Sequence, residues 1–126
     1  MSKQQVDFFT GNDGDAYWRV IDSDGAQINR SSEGFRKLGS AKNNLLIFHT
    51  ILSTNLIALF NDDQDLKGVA FYEDNEGKTR WTVRSLNHEI VGASHMGFSG
   101  FGEAKNNLLM TYSLISTYIA SMALGK

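Results

Sequence analysis

The chain has 126 residues, 41% of them hydrophobic and 21% charged, a composition that belongs to one globular domain and excludes a disordered or fibrous polymer. Twelve Lys and Arg against fourteen Asp and Glu leave a net charge of −2 with no basic block, so the electrostatic footprint of a duplex-nucleic-acid binder is missing. Cysteine is absent, which excludes disulfides and thiolate metal sites, and the lack of proline removes slow X-Pro isomerisation from folding.

The N-terminal MSKQQVDFF lacks the apolar run and small-residue cleavage site of a secretory signal, so a cytoplasmic location is expected. The first alternating run, VDFF from Val6, suits a strand. A Gly-bearing polar turn, GNDGD, leads into AYWRVI, where Trp18 and Val20 share one face. Asp24-Gly25 then signals a hairpin whose two central positions both require positive φ, and AQINRSS closes a three-stranded meander. The apolar period next changes from two to 3.6. Ala41, Leu45, Phe48, Leu52, Leu56 and Leu59 line one face of a helix. An acidic linker, NDDQDLKG over 61–68, follows.

The second half repeats the first. The hexapeptide AKNNLL starts at Ala41 and again at Ala104, 63 residues later, and that shift holds without a gap over some fifty positions. Val6 matches Val69, Phe8 Phe71, Trp18 Trp81, Val20 Val83, Ser31 Ser94 and Gly39 Gly102. Asn87-His88 replaces Asp24-Gly25, and His fits positive φ poorly. The second helix carries Ala104, Leu108, Thr111, Ile115, Tyr118 or Ile119, and Met122. Its uncharged stretch, Leu108–Leu124, is interrupted by Ser and Thr and is expected to be a buried helix, not a membrane span.

The expected fold is therefore α+β: two tandem β-β-β-α repeats, 6–60 and 69–124, in a single domain. They are expected to form one six-stranded, antiparallel-rich sheet with two helices on one face, because three strands and one helix bury too little alone. The paired Asn residues of AKNNLL are poor helix formers and call for partners beneath the helix. A structural role is the expectation for them.

These features resemble the YegP-like family of small uncharacterised bacterial proteins. SEGF from Ser32, NHEIVGASHM from Asn87 and AKNNL in both copies carry the resemblance, which spans nearly the whole chain. It implies tandem three-strand-plus-helix units forming a single sheet, with the helices exchanged between units, and no catalytic residues. The chain departs from the family pattern at Asn44 and Asn107, where a Gly usually follows the helix Asn, and in the length of both helices.

Two surfaces are candidates for function. If the Trp and Val residues face the core, then Phe9, Tyr17, Arg19 and Ile21, and Tyr72, Arg80, Thr82 and Arg84, face away. Phe9, Tyr17, Arg19, Tyr72, Arg80 and Arg84 are the candidate binding residues of that open face. Aromatics beside arginines stack bases or planar ligands, so binding of single-stranded nucleic acid or a planar anionic ligand on this face is the alternative functional expectation. The leading one is self-association. Leu46, Ile47, Ile51, Ile57 and Phe60, with Leu109, Met110, Tyr112 and Leu114, fall outside the core rows of the helices, and surplus apolar surface asks for a cover. His49, His88 and His95 have no metal-ligand spacing, GFSGFG is a turn feeding the second helix, and no nucleophile motif occurs. A non-enzymatic homo-oligomer without metal or cofactor is expected.

Overall fold

The computed structural model describes residues 5–22, 24–31, 33–61 and 66–123. The middle of the acidic linker, 62–65, and the segment 124–126 lie outside the described residues. The first half consists of β1 (Val6–Thr10), β2 (Ala16–Ile21), β3 (Gln27–Arg30), α1 (Leu38–Thr54) and α2 (Leu56–Phe60). The second consists of β4 (Val69–Glu73), β5 (Thr79–Arg84), β6 (Ile90–Ala93) and α3 (Phe101–Ala123). The tandem β-β-β-α order is as expected.

Strand pairing repeats with the sequence. Phe8 lies opposite Trp18 and Phe71 opposite Trp81, and each meander carries one bulge, after Val20 and after Val83. The hairpins correct the turn expectation. In each, one residue closes a three-residue loop with two bonds: Gly11, Asp22, Asp74 and Ser85 donate their N–H to the carbonyls of Asp15, Ala26, Lys78 and Glu89, and their own carbonyls accept the N–H of Gly14, Gly25, Gly77 and His88. Such a loop needs the left-handed region only at its last residue. Gly14, Gly25 and Gly77 stand there at φ 84°, 87° and 79°, and His88 at 67°. Asn87 is not among the positive-φ residues, so one unusual conformation per turn suffices.

The single six-stranded sheet is also corrected. The strands form two separate three-stranded antiparallel sheets, β1-β2-β3 and β4-β5-β6. Their edges β3 and β6 approach each other, but the buried side chain of Asn29 joins them in place of a ladder. Its Nδ2 donates to Asn107 Oδ1 at 2.8 Å and to Thr111 Oγ1 at 2.7 Å, while its Oδ1 accepts the His95 N–H at 2.8 Å. A side chain inserted between two strand edges satisfies groups that a continuous ladder would otherwise have paired.

The helices tie the sheets together by crossing between them. Helix α1 lies on β2 of its own half and on β5 and β6 of the other, and α3 lies on β5 and on β1, β2 and β3. Trp18, Val20, Trp81 and Val83 are fully buried beneath them, with Ala41, Leu45, Phe48, Leu52, Ala104, Leu108, Thr111 and Ile115 facing down. The repeated hexapeptide now has its explanation. Trp18 Nε1 donates to Asn44 Oδ1 at 2.7 Å, and Trp81 Nε1 donates to Asn107 Oδ1 at 3.0 Å. Each motif thus supplies an Ala for close approach, an Asn for a buried indole and a Leu for the core.

Helix one does not run unbroken through Leu59. It ends at Asn55, whose amide reaches Ile51 O at 2.8 Å and Lys67 O at 2.7 Å while its Oδ1 accepts the Lys67 N–H at 2.7 Å. This two-way clamp holds the chain entering β4 against the end of α1. The matching residue of α3 is Tyr118, which makes no such clamp but packs on Phe8 with ring centroids 6.2 Å apart, and α3 continues for 23 residues.

Trp81→Ala is expected to cost about 3–5 kcal/mol of unfolding free energy, as loss of a fully buried ring does. Asn44→Ala should cost about 1–3 kcal/mol by leaving the Trp18 indole N–H unpaired. Urea titrations followed by circular dichroism measure both, and an unchanged midpoint for Trp81→Ala would invert the assignment of the buried face.

Candidate functional site

On the face of the first sheet opposite Trp18 and Val20, the polar groups engage one another. Asp7 and Arg19 are cross-strand partners, as are Phe9 and Tyr17. Arg19 Nη2 and Nε reach Asp7 Oδ2 at 2.8 and 3.0 Å, and the guanidinium lies 5.0 Å above the Phe9 ring. Phe9 stacks on Tyr17 at 5.4 Å and 15°, and Arg30 covers the other ring of that stack from 5.5 Å. The Tyr17 hydroxyl donates to Asp13 Oδ2 at 2.6 Å. That bond holds the Asp13 carboxyl below its ordinary range and raises the Tyr17 phenol.

The second sheet reproduces little of this. Ala70 stands where the first has Asp7, Thr82 where it has Arg19, and Ala93 where it has Arg30. Tyr72 is exposed opposite Arg80, but the Arg80 Nε donates to Asp74 Oδ2 at 2.7 Å. That hydrogen bond lowers the Asp74 carboxyl and raises the guanidinium further. Arg84 Nη1 donates to the His88 carbonyl at 2.9 Å, tying down the left-handed residue of its turn. All three predicted arginines therefore serve cross-strand or turn contacts. Phe9, Tyr17 and Arg19 form one stack, and Tyr72, Arg80 and Arg84 do not join it.

The histidines occupy three different settings. His88 is exposed in its turn, and His95 Nε2 lies 3.5 Å from Gln27 Nε2 across the seam between sheets. His49 lies between α1 and α3, stacked on Tyr112 at 4.8 Å and 7°. Its Nε2 is 2.8 Å from Ser116 Oγ, and the Tyr112 hydroxyl is 3.1 Å from Ser53 Oγ. His49 and Tyr112 match under the 63-residue shift, as do Ser53 and Ser116, so this seam is the internal two-fold axis. Burial pushes the His49 pKa below its ordinary value. At the start of α3, Glu103 accepts from the Ser99 hydroxyl and from its N–H, which places a carboxylate where an anion would bind and lowers its own pKa. No group of three or more His, Asp or Glu among the described residues could hold a metal ion.

A further concavity was not expected from sequence. Between the start of α1 and the β6 end of the β5–β6 hairpin lies a cleft of about 810 Å³. Phe35, Ile47, Ile90 and Val91 give it an apolar lining, and Glu33, Asn43, Asn87 and Glu89 a polar one. It exists because α1 of one half lies beside β6 of the other, a juxtaposition that no local pattern announces.

Two meanders bridged by exchanged helices define the YegP-like fold, and comparison with solved structures agrees with that class. The chain is similar to the solution structure of yegP from E. coli, a protein of unknown function, with a TM-score of 0.67, 13% identity, and 91% of this chain and 88% of that one covered. It is also similar to a UPF0339 protein from Shewanella oneidensis, with a TM-score of 0.66, 15% identity, and coverage of 86% and 80%. The YegP-like fold of the sequence resemblance is thus shown, with two three-stranded sheets in place of the single sheet it implied. No protein-family model and no curated protein matches the chain. No helix among the described residues is long and apolar enough to cross a membrane.

The His49 seam gives a pH dependence with a definite sign. Because the folded pKa lies below the unfolded value near 6.5, the unfolded chain takes up the proton first as pH falls. Its contribution is complete above about pH 6.5 and is lost as pH drops from there through the folded pKa. His49→Phe keeps the stack and removes the titration. Between pH 7 and 5 the wild type should lose more stability than this variant in urea titrations, and equal losses would show that the ring is not held neutral.

Proposed function

We propose that this protein is a non-enzymatic interaction module that self-associates through helical apolar surface left uncovered by the fold. The carrying observation is the short helix α2. It buries Leu59 against the core yet leaves Ile57 78% and Phe60 65% exposed, so one turn of helix is apolar on both sides. Exposed apolar side chains that cluster on one element are a usual mark of an interface. Leu46, Met110 and Met122 add exposed apolar surface on α1 and α3. By contrast, Ile51, Leu109, Tyr112 and Leu114 pack against the core cluster, which confines the proposed interface to less surface than the sequence pattern suggests.

The non-enzymatic part of the proposal rests on the titratable groups. The displaced pKa values of Asp13, Asp74 and Glu103 each trace first to a side-chain hydrogen bond, from Tyr17, Arg80 and Ser99, and those of His49 and Tyr118 to burial. Stacking of nucleic acid on the open face is disfavoured, because Arg19 and Arg80 are already ion-paired and phosphate would have to compete with Asp7 and Asp74.

Light scattering across a wide concentration range should show the mass rising from monomer toward dimer. Ile57→Glu with Phe60→Glu should hold the chain monomeric while changing stability by no more than about 1 kcal/mol, as exposed substitutions do. A wild-type monomer at the highest concentration would overturn the proposal.

A further inference from the structure

We propose that the cleft between α1 and β6 is a docking site for a short extended peptide segment that carries Lys or Arg beside apolar residues. The volume, about 810 Å³, falls in the ~300–1,000 Å³ range of sites that enclose a ligand. The lining of Phe35, Ile47, Ile90 and Val91 offers apolar contact.

Charge selects the occupant. Glu33 and Glu89 line the cleft, and no Lys or Arg does. Both glutamates are exposed, and neither belongs to an ion pair among the described residues. A cationic side chain is the complement of such a site, and an acidic one is repelled.

Backbone selects the form. One edge of β6 pairs with β5, and the other faces β3, which meets it through the Asn29 side chain at His95 rather than through a ladder. Toward Ile90 and Val91 that second edge has no ladder among the described residues and borders the cleft, across from Glu33 and Phe35. Extended peptides recognise such an edge through main-chain hydrogen bonds, with alternate side chains entering pockets. Ser85 also lines the cleft, with its hydroxyl oxygen turned away from solvent and without a hydrogen-bond partner among the described residues.

The test uses the full chain, isotopically labelled, and two capped peptides: acetyl-Val-Lys-Val-Lys-amide and acetyl-Val-Glu-Val-Glu-amide. The basic peptide should give saturable amide shifts at Ile47, Ile90 and Val91, and the acidic one none. Glu33→Gln with Glu89→Gln together should weaken the basic peptide about tenfold, the effect of removing both complementary charges. Glu73→Gln with Glu76→Gln makes the same change in net charge away from the cleft and should leave affinity within about twofold, as screened distant charges do. Absence of saturable shifts up to millimolar peptide would overturn the site. Equal binding of both peptides, or equal weakening by the two double variants, would overturn the charge selection.

Discussion

One aromatic ring makes the two halves of this chain inseparable. Phe48, carried by the helix of the first half, lies with its centroid 5.4 Å from Trp18 and 5.8 Å from Trp81. It is fully buried, as are both indoles, so the three rings form one contiguous apolar block that no single half contains. The ring reaches this place only because Gly92 of β6 has no side chain, since a Cβ there would overlap the Phe48 ring carbons. With α1 fixed across the second sheet, α3 takes the reciprocal path over the first.

The internal two-fold symmetry is kept where bonding demands it and broken where space does. Asn44 and Asn107 hold equivalent indoles, and Ser31 and Ser94 approach the Trp18 and Trp81 backbone N–H groups at the same 3.3 Å. At the positions matching Gly92 and Phe48 stand Asn29 and Thr111. One crossing is thus a large ring over a glycine, and the other is a hydroxyl bonded to an amide. The exchange is mutual, so both crossings are filled and satisfied, as a close-packed interior requires. His49 against Tyr112 is the same device on the axis itself, with two unlike rings making matching bonds to Ser116 and Ser53.

Much of this was legible in the residues because periodicity reports which face is buried. The Trp and Val alternation, the helical rows and the 63-residue register each describe burial, and the structure follows them except at Met122, which the helical row placed inward and which is exposed. What escaped depends on contacts between halves. Asn29 and Gly92 look like tolerated differences between copies until each is seen beneath the other half's helix, and on that contrast rests the division into two sheets. The apolar rhythm of LIALF continues straight through Asn55, so the clamp on Lys67 that ends α1 has no periodic signal. Alternation assigns residues to a face but says nothing of partners, and Asp7, Asp13 and Asp74 engage most of the polar groups on the open face. The cleft beside β6 is likewise a product of the crossing.

A fold completed by mutual exchange leaves its strand edges and outer helix surfaces as places where other molecules can act, and both proposals lie there. Their common premise is that neither half is a folding unit. Its most direct measurement is the behaviour of residues 1–66 expressed without the remainder, followed by circular dichroism, urea titration and sedimentation. The account predicts a fragment without a cooperative transition as a monomer, acquiring one on addition of residues 67–126. A monomeric fragment that unfolds cooperatively by itself would contradict it.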